Sequence, residues 1–438
     1  MSGFQAILVP DDLRDAVSDQ AWLAALLEAE RALANAEAIA GAIPAHAAAA
    51  IADRCRPELF DAAALAEAGR AAANPVEPLV RELVAAVGGE AAAFVHWGAT
   101  SQDIMDSAAM LVSKRALGLV CGRLDAAAAR CAELARTHRS TVMAGRTLLQ
   151  QAVPTTFGLK SAGWLVALMD ALDGLERVRR DRLAAQLGGA AGTLAALGDG
   201  GLGVARLYAH ELDLPEPQLP WHADRQRVAE LGAALALAAG VAGKIAGDIV
   251  LLSQTEVGEV AESAGGASST MPQKQNPVAS VRAIACARQA RGHASVLLAA
   301  LDGEHERAAG AWQSEWAALS GALACAGGAA ANVAEALAGL QVDAERMRQN
   351  LDATGGILLA ERVSHLLAPR LGRTEAREVV ATAAATGSFR WALVADERVG
   401  LGADEVEALL DPEAYLGSAG AMIDRALARH AERNGGRM

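Results

Sequence analysis

One stretch of the chain, residues 265–277, gathers the side chains best suited to bind an anion and to move a proton. It brings hydroxyl groups, an ammonium group and an amide together behind a pair of glycines. The glycines let the backbone move or approach a ligand closely, whereas Pro272 and Pro277 stiffen the segment. Because long apolar helical patterns lie on both sides, we expect an active-site loop between rigid supports. Its chemically active side chains are Ser268, Ser269, Lys274 and Asn276, and Met271 lies among them.

A second polar group surrounds Gly98, with His96 before it and the pair Thr100 and Ser101 after it. Either member of that pair can cap a helix that continues to about His138. A helix N-terminus with free amides and two hydroxyl groups is suited to bind a carboxylate, although an ordinary cap explains the pair equally well. His96 suits a proton shuttle or a carboxylate ligand, and it equally suits a structural histidine bonded to a loop carbonyl.

A third polar group, residues 145–151, contains Arg146 and Gln150 and is closed by Pro154. Arg146 can bind a carboxylate with both arms of its guanidinium group, or it can pair with a neighbouring acid, which is the commoner outcome for a lone arginine. The group is predicted to open a long helix, because leucines recur on one stripe after it. Those leucines are Leu165, Leu168, Leu172 and Leu175.

The three polar groups share one chemical inventory of hydroxyls, amides, one lysine and a few arginines. No cysteine and histidine cluster has zinc spacing, no glycine-rich loop follows a predicted strand, and no Gly-x-Ser-x-Gly turn occurs. The inventory suits proton transfer at a carbon beside a carboxylate, which creates a dianion that needs fixed hydrogen-bond donors more than a cofactor. We therefore expect a small substrate that carries a carboxylate, no cofactor and no metal.

The composition favours helices as the elements that position these groups. The 438 residues are 53% hydrophobic and 3% aromatic, alanine is abundant, and no long alternation of β-branched residues occurs. A net charge of −13 argues against nucleic acid as a partner. The five cysteines stand singly in helical patterns, which predicts buried thiols in a reducing cytoplasm, and residues 1–14 lack the order of a secretion signal.

The clearest helix is predicted from Asp224 to Glu262, where apolar residues recur in steps of four and three. Glycine and alanine cover much of its remaining surface, and glycine is costly in a helix unless another backbone comes close. Lys244 and Asp248 interrupt its most apolar run, residues 231–252, so we predict a core helix and no membrane span. Burial on several sides indicates a helical bundle completed by other subunits.

The two ends of the chain predict shorter helices. Prolines punctuate residues 1–95, and Ser18 is suited to cap the first helix. Pro75 and Pro78 predict a rigid, extended turn, since each proline disfavours helix at the residue before it. After residue 350, glycines and prolines indicate a small C-terminal helical domain.

The order of residues 268–277, Ser-Ser-x-Met-Pro-x-Lys-x-Asn-Pro, resembles position by position the signature loop of the fumarase/aspartase superfamily. This resemblance implies an all-α protein of three helical domains, residues 1–98, 99–345 and 346–438, with a central bundle of long helices. It also implies a homotetramer in which three subunits contribute to each active site. Such an assembly explains why the three polar groups lie far apart in the sequence.

The resemblance assigns roles to residues of this chain. Ser268 matches the general base of the elimination direction, and Lys274 and Asn276 match residues that hold the carboxylate and the developing negative charge. A serine needs nearby positive charge and the exclusion of water to act as a base, and Lys274 can supply the charge. Thr100 and Ser101 match a pair that binds a substrate carboxylate. The other predicted substrate-binding residues are His96, Arg146, Gln150, Ser269, Met271 and Arg307, the last of which matches an arginine that lies beyond the signature helix.

Several stretches narrow the resemblance to the muconate-lactonizing branch, in which a carboxylate adds to an alkene carbon and closes a ring. In that direction Ser268 would deliver the proton. Leu148 stands where the adenylosuccinate and argininosuccinate branches carry a histidine general acid, and ring closure by a carboxylate needs no such acid. The stretches are residues 74–80, 98–103, 221–222, 304–316 and 416–421.

Other departures keep two alternatives open. Ala267, Gln151 and Gln273 replace residues that are usual in the superfamily or in this branch, so a lyase that releases fumarate from a substituted succinate is the alternative function. A non-catalytic structural relative, comparable to the lens crystallins of the superfamily, is the second alternative. The intact Ser268 and Lys274 argue against it, because a structural role makes no demand on them.

Overall fold

The structure is a computed structural model that describes residues 3–263, 266–267, 271 and 274–435. The described residues form an all-α fold with three short two-stranded sheets, which confirms the predicted fold class. The helices are α1 Asp11–Ala16, α2 Asp19–Ile39, α3 Ala45–Arg54, α4 Ala62–Ala68, α5 Val76–Val87, α6 Ser101–Thr137, α7 Phe157–Asp181, α8 Gly201–Glu211, α9 Gln226–Leu252, α10 Val278–Ala299, α11 Ala311–Ala338, α12 Ala344–Asp352, α13 Ala360–Leu371, α14 Arg373–Ala385, α15 Phe389–Ala395, α16 Ala403–Leu409 and α17 Ala419–Gly435. The strands are β1 Val142–Thr147, β2 Gln150–Thr156, β3 Val260–Glu262, β4 Gly266–Ala267, β5 Gln275–Asn276 and β6 Leu340–Val342.

The chain divides into two compact units, each built from separated stretches of sequence. Five long helices contribute residues to both units, namely α6, α7, α9, α10 and α11. The division into three domains that the superfamily resemblance implies stays a prediction. The first unit comprises residues 1–125, 170–244 and 281–333, and the second comprises residues 126–169, 245–280 and 334–438.

Helix α9 is shorter than predicted. Its leucine and isoleucine seam is buried as expected, and the Cβ that Gly243 lacks would lie 2.8 Å from the Cβ of Ala287 on α10. The glycine therefore allows the two helices to approach closely. The prediction that the helix continues to Glu262 is wrong, because it ends at Leu252 and the chain turns through Gly258, whose φ of 62° is in the left-handed region. Strand β3 follows and pairs antiparallel with β6.

The predicted extended turn at Pro75 and Pro78 is also wrong. Asn74 accepts hydrogen bonds from the amides of Val76 (3.0 Å) and Glu77 (3.2 Å), and α5 begins at Val76. Pro78 lies in the first turn of this helix, where a backbone N–H has no helical acceptor and its loss costs little. By contrast, the predicted cap at Ser18 is confirmed, since its hydroxyl accepts from the amide of Ala21 at 3.2 Å.

Two described helices, α9 and α11, are long and apolar enough to cross a membrane by length and composition alone. In α11, 78% of the most apolar window is buried inside the protein, as expected of a core helix. In α9 the corresponding share is 44%. Helix α9 therefore keeps an apolar surface that its own chain does not cover.

Candidate active site

The second polar group of the sequence is fixed by a buried carboxylate in the first unit. Asp103 is fully buried, and its carboxylate accepts hydrogen bonds from the backbone amides of Thr100, Gly188 and Gly189, each at 2.9 Å. The Nε2 atom of His222 lies 2.6 Å from the same carboxylate. Thr100 and the adjoining residue at the start of α6 are half-buried. The predicted carboxylate-binding pair is thus held at a helix N-terminus by contacts from distant loops.

A second buried residue, Gln102, ties Arg307 to this group. The Gln102 side-chain oxygen accepts a hydrogen bond from Nε of Arg307 at 3.0 Å. Its amide nitrogen donates to Asp106 at 3.1 Å and to the carbonyl of His222 at 2.9 Å. The structure therefore brings Arg307 to the first turn of α6, in contact with the residue that follows Ser101. Sequence reasoning missed the roles of Gln102 and Asp103, although two polar residues directly after Ser101, on the first turn of a helix, were a signal of a local hydrogen-bond network.

His96 pairs with a buried carboxylate. Its Nδ1 lies 2.6 Å from Glu30, whose side chain is fully buried, while the imidazole is 15% exposed. The backbone of His96 has a φ of 59°, which a residue other than glycine adopts only when its surroundings enforce it. Burial alone would lower the pKa of His96, but the charge and hydrogen bond of Glu30, together with Asp103, raise it above its ordinary value. Because Nδ1 contacts Glu30, Nε2 is the ring nitrogen left for a contact elsewhere, and the raised pKa favours the charged form of the ring.

Glu37, on the same helix as Glu30, is fully buried, and neither of its oxygens has a hydrogen-bond partner among the described residues. Burial raises its pKa from 4.5 to about 9, and the charge of Glu30 adds to the shift. Since the pKa is higher in the folded state, the stability contributed by the protonated form is complete below pH 4.5 and is lost as the pH rises toward 9.

We expect Glu37→Gln to stabilise the protein at pH 8, because the neutral amide removes the cost of keeping a buried carboxyl protonated. The gain should be on the order of 3 kcal/mol and should vanish near pH 5. Urea unfolding at the two pH values measures it. Glu216→Gln, at an exposed position, is the matched control and should give no pH-dependent gain. An equal effect at both pH values would contradict the protonated state of Glu37.

The third polar group lies on a hairpin in the second unit, where the sequence predicted the opening of a helix. Strands β1 and β2 pair antiparallel, and Thr147 faces Gln150 across a two-residue turn. The turn residues Leu148 and Leu149 have φ values of 51° and 64° and are 96% and 71% exposed. Sequence reasoning missed the hairpin because leucine is a poor residue for such a turn. Helix α7 then follows with its predicted leucine stripe fully buried.

Arg146 makes an internal ion pair. Its two terminal nitrogens donate to the carboxylate of Glu259 at 2.9 and 2.6 Å, and Asn350 donates to the same carboxylate at 2.8 Å. Glu259 is fully buried, and the Arg146 side chain is 20% exposed. Of the two interpretations of Arg146, the structure shows the pairing with a neighbouring acid. Its contact with substrate stays a prediction, as does that of the exposed Gln150.

The structure describes part of the signature loop, and this part places the Lys274 side chain at the surface. Met271 and Lys274 are exposed, and the Lys274 amide donates to the carbonyl of Met271 at 3.0 Å. Asn276 lies on β5, which pairs antiparallel with β4. The predicted residues Ser268 and Ser269, and the departure at Gln273, lie outside the described residues.

The chain is similar to known proteins along nearly its whole length. Residues 9–292 match the family described as Lyase, and residues 356–426 match Adenylosuccinate lyase C-terminus. The chain is 47% identical over 428 residues to a 3-carboxy-cis,cis-muconate cycloisomerase of Bradyrhizobium diazoefficiens, with 95% of each covered. It is 48% identical over 437 residues to a nitrosuccinate lyase of Streptomyces davaonensis, with 94% of this chain and 91% of that protein covered. The crystal structure of a 3-carboxy-cis,cis-muconate lactonizing enzyme from Pseudomonas putida gives a TM-score of 0.93 at 41% identity, covering 98% of this chain and 99% of that one.

Proposed function

The chain belongs to the lyase family of the fumarase/aspartase superfamily, and from this membership we propose that it closes 3-carboxy-cis,cis-muconate to 4-carboxymuconolactone. It is an enzyme of a superfamily that acts on small polycarboxylates. The observation that carries the proposal is the likeness to cycloisomerases along nearly the whole chain, in sequence and in fold. Leu148, at the tip of the hairpin, agrees with it, because ring closure by a carboxylate needs no general acid at that position.

The proposed reaction adds one carboxylate oxygen of the substrate to an alkene carbon. The π electrons move to the neighbouring carbon beside a second carboxylate, which becomes a dianionic enolate, and a proton then bonds to that carbon. Such a dianion is stabilised by donors that are already oriented. Thr100, whose amide donates to Asp103, and Ser101 would bind one carboxylate, and Arg307, whose Nε donates to Gln102, would add a cation.

The signature loop would complete the site. Lys274 and Asn276 would hold the second carboxylate and the developing charge, and Ser268 would deliver the proton. His96, whose pKa is raised by Glu30, would offer a further cation when its ring is protonated, with Glu30 holding Nδ1. A low-dielectric site strengthens each of these contacts relative to water.

A fumarate-releasing lyase is the second candidate. The 48% identity to a nitrosuccinate lyase favours it, and that relative covers 94% of the chain, against 95% for the cycloisomerase. Elimination from a substituted succinate uses the same intermediate in the reverse sense, with Ser268 removing the proton. The two functions therefore differ in the leaving or attacking group and share the carboxylate-binding residues.

A spectrophotometric assay separates the candidates. Purified protein is mixed with 3-carboxy-cis,cis-muconate in the absence of added metal and nucleotide, and the conjugated diene absorbance is followed. We expect rapid loss of the diene signal and formation of a lactone. A parallel reaction with nitrosuccinate tests for fumarate. Fumarate formation without diene loss would replace the cycloisomerase by the lyase, and no turnover of either substrate would contradict both.

We infer further that the chain acts as a cytoplasmic homotetramer with sites shared between three subunits. Less than half of the most apolar window of α9 is buried by its own chain, and a bundle of copies would cover the remainder. Light scattering on the protein used for the assay should give the mass of four chains.

A further inference from the structure

Glu262 joins the two ends of the signature loop. It is the last residue of β3, it is only 7% exposed, and the loop leaves the strand directly after it. At the other end of the loop, its carboxylate accepts hydrogen bonds from the amides of Ala279 and Ser280, both at 3.0 Å. The Ser280 hydroxyl also donates to it at 2.6 Å. Three hydrogen bonds therefore close the base of a loop that carries Lys274 and Asn276.

The start of α10 explains why a distant carboxylate is needed there. The residue before the helix is Pro277, whose side chain has no oxygen to accept from the first free amides. Glu262 supplies the missing cap, although it precedes Ala279 and Ser280 by 17 and 18 positions in the chain. Its negative charge is favourable at a helix N-terminus. The helix cap and the closure of the loop are thus the same interaction.

The strand that carries Glu262 is itself firmly anchored within the second unit. Strand β3 pairs with β6, and the amide of Ser263 donates to the carbonyl of Gly339 at 2.9 Å. A Cβ on Gly339 would lie 2.5 Å from the Ser263 hydroxyl oxygen, so the two segments touch closely. At the start of the strand, Glu259 holds Arg146 of the hairpin. One short strand therefore connects two of the predicted substrate-binding groups.

We propose that Glu262 is a positioning residue that fixes the base of the signature loop, so that Lys274 and Asn276 reach the substrate in the correct register. This inference rests on the proposed function only in taking the loop to bind a carboxylated substrate. Glu262 touches no reacting atom. It acts by limiting the conformations that the loop must give up when the substrate binds, which lowers the entropic cost of reaching the reactive geometry.

Glu262→Gln tests the proposal with little change in shape. One oxygen remains to accept, but an NH2 group now faces the backbone amides, so at least one hydrogen bond is lost. We expect kcat to fall by roughly tenfold to a hundredfold, with a smaller change in KM. Ser280→Ala removes only the hydroxyl contact, so its effect on kcat should be smaller, and it serves as the test if the glutamine variant does not fold.

Tryptic cleavage after Lys274, mapped by mass spectrometry in the absence of substrate, supplies a readout that does not depend on catalysis. Lys274 is exposed and is followed by Gln275, so the bond is a suitable target. Glu262→Gln should increase the cleavage rate there at least about threefold, since a loop with a loosened base samples more conformations. Asp61→Asn is the matched control and should leave the rate of cleavage after Lys274 unchanged. Asp61 also caps a helix by accepting from two amides, at 2.9 and 3.2 Å.

The outcomes separate this proposal from the proposed function. If the unsubstituted protein turns over neither substrate, the proposed function fails, while the cleavage rates still test the base of the loop. Unchanged kcat and unchanged cleavage in Glu262→Gln would overturn the positioning role. A fall in kcat with the same cleavage rate as the unsubstituted protein and a loss of thermal stability would also overturn it, because that pattern indicates a general structural defect.

Discussion

Replacing Ser268 by alanine should reduce kcat by about 10²- to 10⁴-fold while leaving the subunit mass and the thermal midpoint nearly unchanged. The expectation follows from the assigned role. Ser268 carries the proton in either direction of the reaction. The adjacent hydroxyl residues occupy other positions of the motif, so they should not replace Ser268. The loss of diene absorbance, followed by stopped-flow or steady-state kinetics, measures kcat, and a thermal melt measures stability.

Lys274→Met provides the comparison for Ser268→Ala. Lys274 is exposed on the described part of the loop, so its replacement should not disturb folding. It should weaken substrate binding and charge stabilisation together, raising KM as well as lowering kcat, whereas Ser268→Ala should act mainly on kcat. Retained activity with a large loss of stability in Ser268→Ala would contradict the proton-transfer role. Normal binding and turnover in Lys274→Met would contradict the electrostatic role.

The long helices could be predicted from the sequence because their information is local. Spacing of leucines along the chain placed α7, and the small residues of α9 correctly indicated close helix packing. The same reasoning extended α9 too far, because the apolar pattern fades gradually, whereas the helix ends at Leu252 and the chain then turns at Gly258. It also missed the β1–β2 hairpin, whose turn of Leu148 and Leu149 contradicts ordinary turn preferences.

The partners of the polar residues could not be predicted, because they lie far away in the chain. Asp103 meets His222 at a separation of 119 residues, and Arg146 meets Glu259 at a separation of 113. Residue type gave the candidates His96, Thr100 and Arg146, but only the fold reveals which carboxylate neutralises or orients each one. The acids Glu259 and Glu262 carried no local signal, since a glutamate beside a strand is most often a solvated residue.

The deepest of these hidden networks surrounds Arg225 in the first unit. Its guanidinium group donates to Asp106 at 2.7 and 3.0 Å and through Nε to Glu315 at 2.9 Å, and the arginine is 2% exposed. Burial raises the pKa of Glu315, and the hydrogen bond and charge of Arg225 oppose that rise. Asp106 also accepts from Gln102, the residue that orients Arg307. The network therefore connects the stability of the first unit to the predicted substrate-binding group.

Arg225→Met should destabilise the protein by about 3–5 kcal/mol at pH 8, because it leaves two buried carboxylates without their cation. Without Arg225, the pKa of Glu315 in the folded state rises further, so stability is complete at low pH and is lost as the pH increases. The deficit should accordingly shrink at pH 5, which urea unfolding at the two pH values measures. Arg180→Met, which removes an exposed ion pair with Asp181, is the control and should change nothing measurable.

The triple substitution Arg225→Met, Asp106→Asn and Glu315→Gln decides between two explanations of that loss. If unpaired charge is the cause, neutralising both acids should restore much of the stability and abolish the pH dependence. Activity of the triple variant should stay below that of the unsubstituted protein, because the neutral oxygen of an asparagine at position 106 is a weaker acceptor for Gln102, which orients Arg307. Two results would show that Arg225 acts through packing and not through its charge. One is a stability loss in Arg225→Met that does not depend on pH, and the other is a triple variant that is no more stable than Arg225→Met.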